Sequence, residues 1–260
     1  MIETIFIILS FIFGCIIGSF LNVVIYRIPR GKSILKPAFS FCPSCGTKIR
    51  WYDNIPIVSF FLLGGKCRKC KSKINLRYTL IEFLTGTASL ITYLKTGFSI
   101  EYFFLFTFLS LMIAITFIDY DFKIIPDELN LIGFLSGILY SFFRIDFTIV
   151  DSIIGALTGA GTLWMIGYIY LKMRKIEGLG FGDVKMMAFV GAYLGWFGSL
   201  FTIFFSSFIG AIAGIIGAYY LKASDKGKFE IPFGPFLAIS ATIYIFFGDI
   251  IKEWYFRGLM

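Results

Sequence analysis

Residues 4–26 read TIFIILSFIFGCIIGSFLNVVIY, a run without a single charged side chain. An α-helix rises about 1.5 Å per residue and the hydrocarbon core of a bilayer is about 30 Å thick, so this run is long enough to cross it. It has no basic segment before it and no small-residue cleavage site, so it reads as a permanent helix rather than a signal peptide. The rest of the chain has the same character. Of 260 residues, 58% are hydrophobic and 15% charged, and the mean hydropathy is +0.84. A soluble domain is about half apolar and a quarter charged, so lipid is the expected solvent. Seven further spans are expected near 78–95, 101–119, 129–143, 149–171, 184–196, 198–221 and 232–251. The fold class is therefore an all-α polytopic membrane protein of about eight transmembrane helices, with an insertion between the first two whose character the charges and cysteines below decide.

Charge orients these spans. Between Arg27 and Arg77 lie twelve of the 24 Lys/Arg residues, with Asp53 the only acid, a net of +11 in a chain whose total is +8. Cytoplasmic loops carry the excess of Lys/Arg, which places residues 27–77 inside and both termini outside. Alternation then puts further inner loops at 120–128, 172–183 and 222–231. Small residues four apart, Gly14/Gly18, Gly155/Gly159, Gly210/Gly214 and Ala213/Gly217, let helix backbones approach closely in lipid. Packing within one bundle and homodimerisation both fit that pattern.

The chain has no histidine. Ser-His-Asp and Cys-His hydrolases and HExxH zinc proteases are thereby excluded, and chemistry must come from carboxylates, thiolates, amines, hydroxyls or a cofactor. In the basic loop, Cys42-Pro-Ser-Cys45 and Cys67-Arg-Lys-Cys70 form two CxxC pairs at zinc-ribbon spacing. Four thiolates and Zn²⁺ sum to −2, which Lys48, Arg50, Lys66, Arg68, Lys69 and Lys71 offset. Disulfides are disfavoured in a reducing compartment. All four ligands come from protein, so the expected metal is structural, and the loop's few large apolar residues could not stabilise it alone. Cys15, in the first span, reads as a small apolar residue facing lipid or a neighbouring helix.

Carboxylates near hydrocarbon are costly and need a reason. Asp119 ends the third span, and Asp183 opens the sixth within Gly178-Leu-Gly-Phe-Gly-Asp183-Val-Lys185. The topology places both at the same membrane face, where one carboxyl can hold a proton while the other acts as base. Glycines 178, 180 and 182 would let a backbone approach. Alternatives remain open on these residues: Asp183 and Asp127 as helix N-caps, or an ion-coupling site of a transporter. Glu82 and Asn22 are polar within spans and should face the bundle interior, to pair locally or to meet a substrate or cofactor.

Six ordered blocks carry a resemblance: Gly18-Ser-Phe-Leu-Asn-Val-Val-Ile-Tyr-Arg-Ile-Pro29, the two CxxC pairs, Asp53-Asn-Ile-Pro-Ile-Val-Ser59 between them, Arg77-Tyr-Thr-Leu-Ile-Glu82, Asp119 with Ile125-Pro-Asp127 and the GxGD motif at 180–183, and Ile231-Pro-Phe-Gly-Pro-Phe236. The chain resembles the type IV prepilin peptidases, bifunctional leader peptidases and N-methyltransferases of the GxGD aspartic type. The resemblance implies Asp119 and Asp183 as catalytic residues, with Gly180, Gly182, Lys185 and Glu82 in support. It implies Zn²⁺ on Cys42, Cys45, Cys67 and Cys70, S-adenosylmethionine as methyl donor, and type IV prepilins or pseudopilins as substrates in the bacterial cytoplasmic membrane. No nucleic-acid partner is expected. The implied division is a first helix at 1–26, a cytoplasmic four-cysteine loop at 27–77 associated with methylation, and a peptidase membrane domain at 78–260. No glycine-rich fingerprint for the methyl donor is visible. A peptidase with a purely structural zinc loop, a cation-coupled transporter, which should show inverted repeats, and a scaffold docking a secretion ATPase are the rivals.

Overall fold

The structure is a computed structural model and describes residues 2–176, 178–220 and 232–257. The inner loop expected at 222–231 lies outside them. The described residues form eight α-helices, α1 (Ile2–Arg27), α2 (Val58–Leu62), α3 (Leu76–Thr96), α4 (Ile100–Phe122), α5 (Asp127–Ser141), α6 (Ile149–Arg174), α7 (Phe181–Tyr220) and α8 (Gly234–Arg257), with 3₁₀ turns at Ile28–Arg30 and Trp51–Asn54. Among them there is no β-strand, only two isolated bridges in the cysteine loop. The chain divides into two compact units, residues 1–114 and 115–260.

In the first unit α1 packs on α3 through the small residues. A Cβ on Gly14 would stand 2.5 Å from Ser89 Cβ, and one on Gly18 would stand 2.7 Å from the Glu82 Cα. Ser89 Oγ donates to the Ser10 carbonyl at 2.5 Å, an interhelical bond between two buried residues. Cys15 is buried against Gly86, so its reading as a helix-facing small residue holds. α3 starts where it does because the Asn75 side chain caps the Arg77 N–H.

The basic loop is organised from inside. Arg27 is only 4% exposed. Its Nη1 donates to the carbonyls of Ser33, Ile34 and Pro37 at 3.1, 2.9 and 2.9 Å, and its Nη2 to that of Phe39 at 3.2 Å. A guanidinium offers donors in a fixed fork, and here that fork gathers the segment leading into the first cysteine.

In the second unit α6 and α7 touch backbone to backbone. A Cβ on Gly155 would lie 2.2 Å from the Gly191 carbonyl oxygen, and one on Gly191 would lie 2.1 Å from that of Gly155. Ser152 Oγ donates to the Ala192 carbonyl at 2.7 Å, and Ser199 Oγ to that of Gly155 at 3.0 Å. The bundle-packing reading of Gly14/Gly18 and Gly155/Gly159 is thus the one realised. A capping box of Thr148 and Asp151 starts α6.

α7 reverses direction at Gly195, whose φ of 73° and ψ of −176° no helix contains. Gly159 lies against both the Met187 carbonyl and Ser199 Oγ. Twelve residues of straight helix would hold those two about 18 Å apart, so the chain must fold back between them. Arg144 Nη1 donates to the Tyr193 carbonyl at 3.1 Å, which satisfies the end of the first half of α7. The two spans expected at 184–196 and 198–221 are these two halves.

Among the described residues five helices, α1, α4, α6, α7 and α8, are long and apolar enough to cross a membrane, against the eight spans expected of the chain. α5 has 15 residues, about 23 Å of helix and short of the hydrocarbon core. α3 carries Arg77, Glu82 and Lys95 among several Thr, Ser and Gly. α7 counts once only because its two halves are continuous in sequence.

Candidate active site and metal centre

The site in the second unit assembles at three helix ends. Asp119, near the end of α4, is 5% exposed, and Asp183, in the first turn of α7, is 9% exposed. The start of α8 comes to the first of them: the Gly234 N–H donates to Asp119 Oδ2 at 2.9 Å. Asp183 is held by its own turn, with its N–H on the Gly180 carbonyl at 3.1 Å and its carboxylate accepting from the Gly180 N–H. It therefore sits three residues inside the helix start and bonds back to it, which corrects the N-cap alternative.

Ile125 ties the two halves together. A Cβ on Gly182 would meet Ile125 Cβ at 3.0 Å, and one on Gly234 would meet Ile125 Cδ1 at 3.3 Å. The backbones carrying Asp183 and anchoring Asp119 thus rest on one side chain, and the two carboxylates act on each other electrostatically. Two buried carboxylates in one site, each held by a backbone N–H, can share a single proton, one poised as base and the other as acid.

Lys185 stands beside this pair and grips Asp127, with Nζ 2.7 Å from both carboxylate oxygens. Asp127 is the first residue of α5 and Pro126 occupies the cap position. The side chain is engaged by the lysine, so the N-cap reading of Asp127 is corrected as well. Gly180 and Gly182 keep the chain close: an added Cβ at 180 would lie 3.1 Å from Asp183 Oδ2.

The first unit holds the four cysteines. Two knuckles of the same form present them. Cys42 N–H bonds Thr47 O at 2.9 Å, and Cys67 N–H bonds Ser72 O at 2.9 Å. Bridges Phe41–Lys48 and Lys66–Lys73 close each knuckle at the same offset. The residue after each second cysteine is left-handed, Gly46 with φ 67° and Lys71 with φ 58°. All four Sγ atoms lie within 4.8 Å of one another, and Cys42 Sγ is 3.8 Å from Cys70 Sγ. Tetrahedral zinc with about 2.3 Å bonds needs sulfurs about 3.8 Å apart, so the donor set fits such an ion.

Local hydrogen bonds favour the thiolate form at Cys42 and Cys70. Burial raises the Cys42 thiol, but the N–H groups of Cys45 and Ser44, with hydrogen bonds from the Cys45 and Ser72 side chains, outweigh it and bring the group to about 6. Asp53, the loop's only acid, is gripped by Arg68 through Nε and Nη2 at 2.6 to 3.1 Å. That pairing holds its carboxyl below the usual range.

Beside the knuckles the same unit has a partly open cavity of about 680 Å³, lined among others by Asn22, Cys42, Asp53, Ile57, Tyr78 and Glu82. Asn22 Nδ2 donates to the Tyr78 carbonyl at 3.1 Å. Glu82, expected to face the interior, is 9% exposed, and its Oε2 accepts the Ile57 N–H at 2.7 Å. Sequence reasoning singled out the aspartates, the cysteines and Glu82. It gave no role to Gly234 or Ile57, although both lie in the quoted blocks 231–236 and 53–59. The signal there was an unexplained block, and the missing piece was a partner 115 or 25 residues away.

Both compact units contain segments that match known protein families. Residues 12–96 match the Bacterial Peptidase A24 N-terminal domain, and residues 106–215 match the Type IV leader peptidase family. Similar curated proteins include a prepilin leader peptidase/N-methyltransferase of Pseudomonas putida, 32% identical over 95% of this chain and 92% of that one. Another, from Aeromonas hydrophila, is 34% identical over 97% and 94%, and one from Legionella pneumophila is 35% identical over 94% and 92%. No solved structure matches. With its two matched segments, its apolar helices and relatives aligned over nearly their full lengths, the chain belongs to the type IV leader peptidase family.

Proposed function

We propose that this protein is a multi-pass membrane endopeptidase that removes the leader of type IV prepilins or pseudopilins and N-methylates the new N-terminus. The observation that carries the first activity is the meeting of Asp119 and Asp183 around Ile125, both buried and both held by backbone N–H groups. In this reading one carboxylate takes a proton from water as it attacks the scissile carbonyl, and the other protonates the leaving amine. Gly180 and Gly182 leave room for an extended peptide. Lys185, tied to Asp127, stiffens the first turn of α7 and holds Asp183 in place.

Methylation belongs in this reading to the N-terminal region beside the cysteine loop, with S-adenosylmethionine supplying an electrophilic methyl group. Cys42, Cys45, Cys67 and Cys70 would hold Zn²⁺ as a structural clamp, since all four positions are filled by protein. The membrane arrangement is eight spans, with α3, α5 and both halves of α7 crossing beside α1, α4, α6 and α8. The net charge of +11 on residues 27–77 supports a cytoplasmic loop, which leaves both termini outside and the aspartates at the inner face. The proposed division is a first helix at 1–26, the four-cysteine loop at 27–77 and the peptidase domain at 78–260.

The test is cleavage and methylation of a purified prepilin by the wild type and by Asp119→Asn and Asp183→Asn. Each variant should lose cleavage by at least about 10³-fold, in line with removal of one member of a catalytic pair. Cleavage surviving both substitutions would remove the peptidase assignment.

A further inference from the structure

Ile57 has φ 63° and ψ −54°, and the Pro56 carbonyl accepts the Val58 N–H across it at 2.6 Å. This is the three-residue turn with positive φ, a rare and strained form, and a β-branched side chain is the least suited to it. Such strain persists only where the surroundings enforce it, and it gathers at functional sites. The enforcing group is Glu82, whose Oε2 takes the Ile57 N–H at 2.7 Å.

Glu82 is itself costly. Its partners are neutral, the Ile57 N–H and the Ser19 hydroxyl, and among the described residues no Lys or Arg forms an ion pair with it. A buried carboxylate without a cationic partner either takes up a proton or is stabilised by a cation that enters its site. Gly18 brings α1 against its Cα, so the group cannot be relieved by a small movement of α3. It lines the 680 Å³ cavity, a volume in the range of small-molecule sites. Two hydrogen bonds leave a carboxylate with acceptor capacity to spare.

We propose that this cavity is the methyl-transfer site and that Glu82 binds the α-ammonium of the newly exposed pilin N-terminus and takes its proton. The proposal rests on the N-methyltransferase reading above. In the step, the ammonium gives one proton to the Glu82 carboxylate. The free amine lone pair then attacks the methyl carbon of the sulfonium donor. The N–C bond forms as the C–S bond breaks, its electron pair leaving a neutral thioether. The methylated nitrogen, now cationic, releases its second proton to solvent. The Ile57 turn acts by position, fixing one carboxylate oxygen so that the other lone pairs face the amine.

The experiment uses the full-length protein in lipid nanodiscs. Two apolar peptides that begin with Phe, one with a free α-amine and one acetylated, are titrated calorimetrically in the presence of S-adenosylhomocysteine. Methylation of cleaved pilin is followed by mass spectrometry. The wild type should bind the free-amine peptide at least about tenfold more tightly. Glu82→Gln retains an acceptor for the Ile57 N–H but no charge. In that variant the amine preference should vanish and methyl transfer should fall by at least about 10²-fold, the scale of a general base, while Glu82→Asp, which keeps the charge, should retain the preference for the free amine.

A wild type that binds both peptides equally overturns the proposal whatever becomes of the variant. So does a Glu82→Gln protein that methylates within about threefold of wild type. Loss of S-adenosylmethionine affinity alone, with the amine preference intact, would put Glu82 on the sulfonium and overturn it too. A wild type that never methylates cleaved pilin would instead sink the methyltransferase reading, while the peptide preference remained measurable.

Discussion

Replacing Gly234 with alanine probes the anchoring of Asp119 without touching either aspartate. The added Cβ would lie 2.7 Å from Asp119 Oδ2, where ordinary contact begins near 3.4 Å. The carboxylate or the start of α8 must therefore move by about 0.7 Å, the difference between those distances. A misplacement of about 1 Å costs about 10²-fold in rate, so about 30-fold is expected here, or about 2 kcal/mol of activation free energy. Stability should change by less than about 1 kcal/mol, because alanine is the better helix former and offsets part of the crowding. The assay is the initial rate of prepilin cleavage in nanodiscs, run beside reversible unfolding of the same preparations. Gly210→Ala is the internal control: its nearest neighbour would be 3.6 Å away, an ordinary contact, and its rate should match wild type. A Gly234→Ala enzyme that cleaves within threefold of wild type would refute the anchoring argument.

Purified protein should carry one zinc per chain by elemental analysis, and preparations with no bound divalent metal would contradict the cysteine assignment. Cys42 in the folded chain titrates near 6 instead of 9. Its thiolate form is thus favoured from the ordinary thiol range downward, so metal-free protein should take up zinc at pH 7, and the bound ion, competing with protons for the sulfurs, should be lost only as pH falls below about 6. Cys42→Ser should abolish methylation, with cleavage reduced less, because the aspartates belong to the other compact unit. Gly191→Leu should destabilise α6 against α7 by about 3 kcal/mol or more, from overpacking at a backbone contact, measurable as a lowered unfolding midpoint. Arg27→Lys, which replaces a fork by a point charge, should speed proteolysis between residues 31 and 40 while leaving cleavage by the aspartates unchanged.

Much of this arrangement was legible in the residues. Hydropathy located the helices, including the break between two spans that the structure places at Gly195. There the run Leu194-Gly195-Trp196 offers only a glycine as signal, two residues before the division expected between 196 and 198. Twin CxxC pairs foretold the knuckles, and the burden of carboxylates in lipid picked out Asp119 and Asp183. Local rules misjudged Asp127, because a capping preference cannot see a lysine 58 positions away. Nothing in Asn54-Ile-Pro-Ile-Val58 announces a left-handed isoleucine, since its cause is a carboxylate on α3 rather than any local propensity. The Gly234 N–H is equally silent in sequence, because a backbone donor has no residue type.

Arg27 also bears on the order of assembly. By collecting four carbonyls between Ser33 and Phe39, it fixes the stretch before Cys42 from the membrane side without any ion. A metal on the four cysteines would then have only the span from Cys42 to Cys70 to close, rather than the whole excursion from α1 to α3. Closure entropy grows only as the logarithm of loop length, so the thermodynamic gain is under about 1 kcal/mol. On the zinc reading the larger consequence would be temporal: a segment already gathered by Arg27 would present the first knuckle in position before the ion binds.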